Sequence, residues 1–160
     1  MIKRGLFIVF FVLATFFSNG QTVSTVAVPV ESFVKRITKA DFIEKIMDYE
    51  KNTSVWVYKG SKPCIIDFYA DWCGPCRIAS PILEELAAEY TGKIDIYKVN
   101  IDKERELAQV FGVSSIPVFL YCPMEGKPSM TSGIARDKDQ TKQMFKENIE
   151  NLLLKNYKQN

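Results

Sequence analysis

The stretch that most constrains this chain is Trp72-Cys73-Gly74-Pro75-Cys76. It follows Cys64-Ile65-Ile66-Asp67-Phe68-Tyr69-Ala70, which reads as a buried strand. It precedes a run in which Ile82, Leu83, Leu86, Ala87 and Tyr90 recur at helical spacing. The two cysteines therefore fall at a strand-to-helix junction, on the first turn of the helix. The opening N–H groups of a helix lack intrahelical acceptors, and its dipole favours negative charge. A thiolate at Cys73, the reactive form of the side chain, is stabilised there. Gly74 leaves the loop uncrowded. Pro75 gives up no useful N–H at a helix start and brings a backbone angle already suited to one.

Two cysteines at this spacing admit three chemistries. Half of a zinc site needs two more ligands, usually a second such pair or histidines. The chain has no histidine, and Cys64 and Cys122 are isolated. A structural bridge across two residues would stabilise little by loop closure. A redox dithiol needs nothing else, neither metal nor cofactor, and is the reading the residues favour. Cys73, at the helix end, is expected to be the exposed nucleophile. Cys76, one turn in and more buried, is expected to resolve the mixed disulfide.

Residues 67–76, Asp-Phe-Tyr-Ala-Asp-Trp-Cys-Gly-Pro-Cys, closely resemble the active-site stretch of the thioredoxin family. The resemblance continues in Lys98-Val99-Asn100-Ile101-Asp102, Phe111-Gly112-Val113, Ser115-Ile116-Pro117 and Gly133-Ile134, and covers roughly residues 34 to 154. It implies the α/β thioredoxin fold, a central mixed β-sheet with helices on both faces, over residues 33–160. It places Asp67 beneath Cys76, with a pKa raised by desolvation, to shuttle the Cys76 proton. Lys98 is the implied partner of Asp67. The readings in which Asp67 is a solvated edge acid and Lys98 a surface lysine stay open beside these. The resemblance makes Ile116-Pro117 a cis peptide whose backbone pairs with the substrate chain, against an ordinary trans proline opening a strand. Trp72, Gly74 and Pro75 join the docking surface, with Gly133-Ile134 as its far wall. Two departures stand out: Gly-Ile where the family more often has Gly-Ala, and Arg77 where lysine is more usual.

The implied activity is thiol–disulfide oxidoreduction, most simply reduction of disulfides in exported proteins as part of cell redox homeostasis. The Gly-Pro between the cysteines resembles reducing members. Exported space is oxidising, so an oxidant or isomerase remains the rival, and a reductase there needs a membrane thiol electron donor. A non-catalytic docking module would be marked by loss of a cysteine, and both are present. A monomer is expected.

The expectation of export comes from residues 1–20. Lys3 and Arg4 precede a short apolar run, residues 6–17, and Ser18-Asn19-Gly20 offers small residues before a cut at Gln21. The run is short for a membrane span. A cleaved signal leading to the bacterial periplasm, an uncleaved anchor and secretion are the three outcomes. Without residues 1–20 the chain carries nineteen basic and nineteen acidic residues. That neutrality argues against a nucleic-acid partner, which would call for a basic face.

Residues 21–32 read as a flexible leader. A short strand is expected over 33–37, and Thr38 with Asp41 forms a helix N-cap before Phe42, Ile43, Ile46 and Met47. Residues 53–58 are β-rich and end in the turn cluster Lys59-Gly60-Ser61-Lys62-Pro63. Strands follow at 93–100, 117–121 and 129–134, with helices at 104–111 and 137–155, the last with Phe145, Ile149, Leu152 and Leu153 on one face. The summarised pattern is β-α-β-β-α-β-β-α, which suits one mixed sheet.

One further expectation concerns the remaining cysteines. If Pro117 lies beside the dithiol, the strand after it runs back antiparallel to the strand ending at Ala70. Cys122 is five residues along and Cys64 six residues back, distances that match to within about one residue at ~3.3 Å per step. The two should be neighbours, either as a bridge or as two buried thiols.

Overall fold

The computed structural model describes residues 32–155 and 157. The expected signal and residues 21–31 of the leader lie outside them. The described elements are β1 (Lys35–Arg36), α1 (Lys39–Lys45), β2 (Cys64–Tyr69), α2 (Gly74–Glu89), β3 (Asp95–Asn100), α3 (Arg105–Val110), β4 (Val118–Cys122), β5 (Ser129–Ser132) and α4 (Lys138–Asn148). A π-helical turn, Ile149–Leu154, continues α4. Among the described residues no helix is long and apolar enough to cross a membrane.

The strands form one mixed sheet in the order β1-β3-β2-β4-β5. β1 and β2 run parallel to β3, while β4 lies antiparallel to both β2 and β5. β2 is central and covered on both faces, so all six of its residues are buried. That is why it reads as an unbroken apolar run rather than an alternation. β5, at the edge, alternates half-buried and exposed.

Side chains alternate across the sheet. Ile65, Ile96, Phe119 and Tyr121 pack against Ile82, Leu83 and Leu86 of α2 and Phe145 of α4. The rings of Phe119 and Phe145 meet edge-on at 4.7 Å between centroids. Cys64, Ile66, Phe68, Leu120 and Cys122 point the other way, toward Phe42 of α1 and Leu107 of α3. The helical face expected of α2 is buried throughout. Thr38 closes the expected capping box with Asp41.

Four local expectations are corrected. The first strand is only Lys35–Arg36. The backbone N–H groups of Phe33 and Val34 donate instead to the Glu84 carboxylate, at 3.0 and 3.2 Å, which removes them from sheet pairing. Residues 53–58 form no strand. Their alternation is real, with Val55 and Val57 exposed and Trp56 and Tyr58 packed on the core, but no strand among the described residues pairs with them. The segment is a strap, tied down where the Lys59 N–H donates to the Ile46 carbonyl at 2.9 Å. The element string is β-α-β-α-β-α-β-β-α: it lacks a strand at 53–58 and contains α3, which the eight-element pattern omits together with one of the strands named beside it. The last helix changes to π-helical winding at Ile149, which keeps Ile149 and Leu153 buried while Leu152 only flanks the core.

Cys64 and Cys122 stand directly opposite each other across β2 and β4, and both thiols are free.

Candidate active site

β2 ends where α2 begins, and the junction fixes the two cysteines. Cys73 is the N-cap of α2, in extended conformation (φ −78°, ψ 110°). Its Sγ accepts the Cys76 N–H at 3.2 Å, filling one of the acceptor positions that a helix start leaves open. Its own N–H donates to the Ala70 carbonyl at 3.1 Å. Cys73 and Cys76 are joined as a disulfide, with Cα atoms 5.3 Å apart. A Cβ at Gly74 would come no nearer to another residue than 4.0 Å, to the Arg77 guanidinium, so the space beside the disulfide is open.

The expected contrast in exposure between the cysteines is nearly absent. Cys73 is 3 % exposed and Cys76 1 %. Joined as a disulfide, both pack with Tyr69 and Ala70, and Ile101 and Ile116 close over them. What faces solvent is Trp72, at 66 %, together with Pro75. The Trp72 indole is held by its Nε1–H donating to Asp102 Oδ2 at 2.9 Å. The Asp102 N–H donates in turn to Asn100 Oδ1 at 3.0 Å.

From the other side comes β4. The Ile116–Pro117 peptide is cis. Ile116 packs on the cysteine cluster and Pro117 is buried. The Pro117 carbonyl accepts the Gly133 N–H at 2.9 Å, so Gly133 is drawn to the site. Its φ of +77° is a conformation that L side chains rarely adopt. Ile134 packs, half-buried, against the core under α2 and α4.

Asp67 is 1 % exposed, and neither carboxylate oxygen has a hydrogen-bond partner among the described residues. It shares the sheet face of Ile65, the face that α2 covers. Burial pushes its pKa up to about 7, against the opposing pull of the Lys98 charge. The solvated-edge reading of Asp67 is thereby overturned.

Lys98 is the register partner of Asp67 on β3, yet the two form no ion pair. The ammonium sits over the Tyr69 ring, 4.4 Å from its centroid, so its hold on Asp67 is through the field alone. Half-burial between two strands makes it more than a surface lysine. Tyr69 itself escaped the sequence reading. It is buried, touches the cysteine cluster, carries Lys98 on its ring and accepts Arg36 Nε–H on its hydroxyl at 3.2 Å. The signal was available, since a residue two along from Asp67 on one strand shares its face.

A disulfide capping a helix at the carboxyl end of a central strand, beside a cis-proline and a buried acid that titrates near neutrality, defines a thiol–disulfide exchange centre. Comparison with known proteins agrees with the geometry. The thioredoxin family model matches residues 33–147. The chain is 46% identical over 101 residues to "Thioredoxin" of Borreliella burgdorferi, covering 63% of this chain and 86% of that protein. It is 32% identical over 102 residues to "Thioredoxin 1" of Nostoc sp., covering 64% and 85%. Against "Thioredoxin M-type, chloroplastic" of Pisum sativum it is 47% identical over 73 residues, 44% of this chain and only 42% of the pea protein. The chain belongs to the thioredoxin family, with Cys73 and Cys76 as its redox-active pair, and is a thiol–disulfide oxidoreductase.

Proposed function

We propose that the protein reduces disulfides of exported proteins, with Cys73 as nucleophile and Cys76 as resolving thiol. The observation that carries the reading is the N-cap position of Cys73, whose Sγ already accepts the Cys76 N–H. In the reduced protein that N–H and the helix dipole favour the thiolate at Cys73. The thiolate attacks one sulfur of the partner disulfide. A mixed disulfide forms and the partner's first thiolate leaves. Asp67 takes the Cys76 proton, for which a pKa of about 7 suits it. Cys76 then attacks Cys73 Sγ, the intramolecular disulfide forms, and the partner's second thiolate leaves. Two electrons pass to the partner, and a membrane thiol donor restores the dithiol.

Trp72, Gly74 and Pro75 on one side, and Ile116, Pro117 and Gly133 on the other, frame the partner's approach. The open space at Gly74 and the exposed indole of Trp72 support this. Ile134 shapes the groove from beneath rather than lining it. Lys98 tunes Asp67 from its seat on Tyr69. Export rests on residues 1–20, with the periplasm as destination and a monomer as the working form.

Trapping tests the roles. Cys76→Ser should accumulate mixed disulfides with exported proteins on non-reducing gels, whereas Cys73→Ser should not. The reverse pattern would overturn the assignment. The potential of the Cys73/Cys76 couple decides direction. A value close to that of reducing thioredoxins supports the reductase, and a strongly oxidising one supports the rival. The mature N-terminus from fractionated cells tests export: Gln21 in the periplasmic fraction supports it, and Met1 in the cytosol excludes it.

A further inference from the structure

The second pair of cysteines lies outside this chemistry. Cys64 opens β2 and Cys122 closes β4, so the pair sits at the far end of β2 from the disulfide, roughly 17 Å away at ~3.3 Å per residue. Exchange between the two pairs within one chain is excluded by that distance. Cys64 and Cys122 are directly opposed on antiparallel strands, where Cα atoms stand ~4.5–5.5 Å apart, inside the ~4.4–6.8 Å span that a disulfide requires. Both are fully buried on the α1/α3 face, in one packed cluster.

The strap of residues 53–58 packs over the same cluster. Tyr58 packs on the cluster holding both thiols, near enough for each to act on its hydroxyl, which donates to the Lys62 carbonyl at 2.5 Å. Trp56 lies on the same cluster, and its buried Nε1–H has no hydrogen-bond partner among the described residues. The strap pairs with no strand among the described residues. Its tethers there are the Lys59 N–H on the Ile46 carbonyl, Lys59 Nζ on the Ile43 carbonyl at 2.6 Å, and the same ammonium 3.9 Å from the Asp48 carboxylate. Segments with so few backbone bonds open locally at low cost. Gly60 is shaped to the strap: a Cβ there would fall 2.3 Å from the Tyr58 hydroxyl.

We propose that Cys64 and Cys122 are a second thiol–disulfide couple, covered by the Tyr58 strap and oxidised by small organic disulfides when the strap opens. While the strap is shut, burial pushes the Cys122 thiol well up and keeps the pair inert. On opening, Cys64, the thiol against Tyr58, is uncovered first. Its sulfur, deprotonated by solvent, attacks the small disulfide R–S–S–R. A mixed disulfide forms and one RS⁻ leaves. Cys122, likewise deprotonated, attacks Cys64 Sγ, the cross-strand disulfide forms, and the second RS⁻ leaves. The two protons end on two RSH molecules, and two electrons have moved from protein to small disulfide. The product ties β2 to β4 covalently at the end of the sheet remote from Trp72.

The experiment uses the full chain carrying Cys73→Ser and Cys76→Ser, so that only this pair can react. The protein is incubated with oxidised glutathione, quenched in acid and denatured, and its free thiols are counted by maleimide gel shift and intact mass. The expected result is passage from two free thiols to none, with loss of two hydrogens and no retained glutathione. Gly60→Ala, which forces the Tyr58 ring aside, should speed this on the order of tenfold, the population change that ~1.4 kcal/mol produces. Tyr58→Phe, which keeps the ring and drops the hydroxyl bond to Lys62, should speed it less and serves if Gly60→Ala fails to fold. Two thiols that persist in the folded protein, or a stable glutathione adduct as end product, overturn the couple. Oxidation at one rate in all variants overturns the strap as its cover.

Discussion

At the scale of single residues, Asp67 sets the pH response. Its pKa rises from 3.8 to about 7 on folding because burial penalises the carboxylate. The folded state thus holds this proton more tightly than the unfolded state. Its effect on stability is most favourable below about pH 4 and is lost as pH rises through 7, a cost on the order of 4 kcal/mol at the alkaline end. Asp67→Asn removes the charging step. The variant should match the parent near pH 4 and exceed it in urea midpoint at pH 8. Parallel profiles would show that the carboxyl does not titrate in this range. If Asp67 relays the Cys76 proton as proposed, turnover in insulin reduction should fall in the same variant, by up to roughly 10²–10⁴-fold. Lys98 opposes the rise. Lys98→Met should therefore move the Asp67 titration to higher pH, as read by carboxyl NMR shifts, even though no ion pair is broken.

At the scale of elements, short pieces depend on their ends. α1 has seven residues, too few to persist alone, and is closed by the Thr38–Asp41 capping box. The Lys45 ammonium, with the Thr38 N–H behind it, holds the Asp41 carboxyl well below the usual range. The sign is opposite to that of Asp67: this contribution is present above the ordinary carboxylate pKa and fades as pH falls. Thr38→Ala should cost about 1 kcal/mol at neutral pH, measured as a lowered urea midpoint at unchanged slope. The cap was legible because it lies within four residues of chain. The strap was not. An alternating run says which side chains turn inward, but a strand also requires a neighbour to pair with, and residues 53–58 have none among the described residues.

At the scale of the molecule, one core face joins the active-site helix to the C-terminal one. Phe145 is fully buried there, edge-on to Phe119. Phe145→Ala should cost ~3–5 kcal/mol, read by calorimetry as one cooperative transition at lower temperature. A second, separate transition would show that α4 unfolds on its own. The sequence by itself determined what neighbours along the chain decide: cysteines on the first turn of a helix, the buried stripe of α2, the Thr38 cap, a central strand apolar on both faces. With the family resemblance setting Pro117 beside the dithiol, a fixed rise per residue also brought Cys64 to within about one residue of Cys122; their exact opposition is the register of the assembled sheet. Only the tertiary structure decided the rest. Glu84 claims the N–H groups that would have lengthened β1. Lys98 turns to Tyr69 instead of Asp67. Tyr69 and Ile116 bury Cys73 almost as deeply as Cys76. Each outcome depends on groups brought together from distant parts of the chain, and their competition for hydrogen bonds, charge and cover is settled only when the sheet and its helices are assembled.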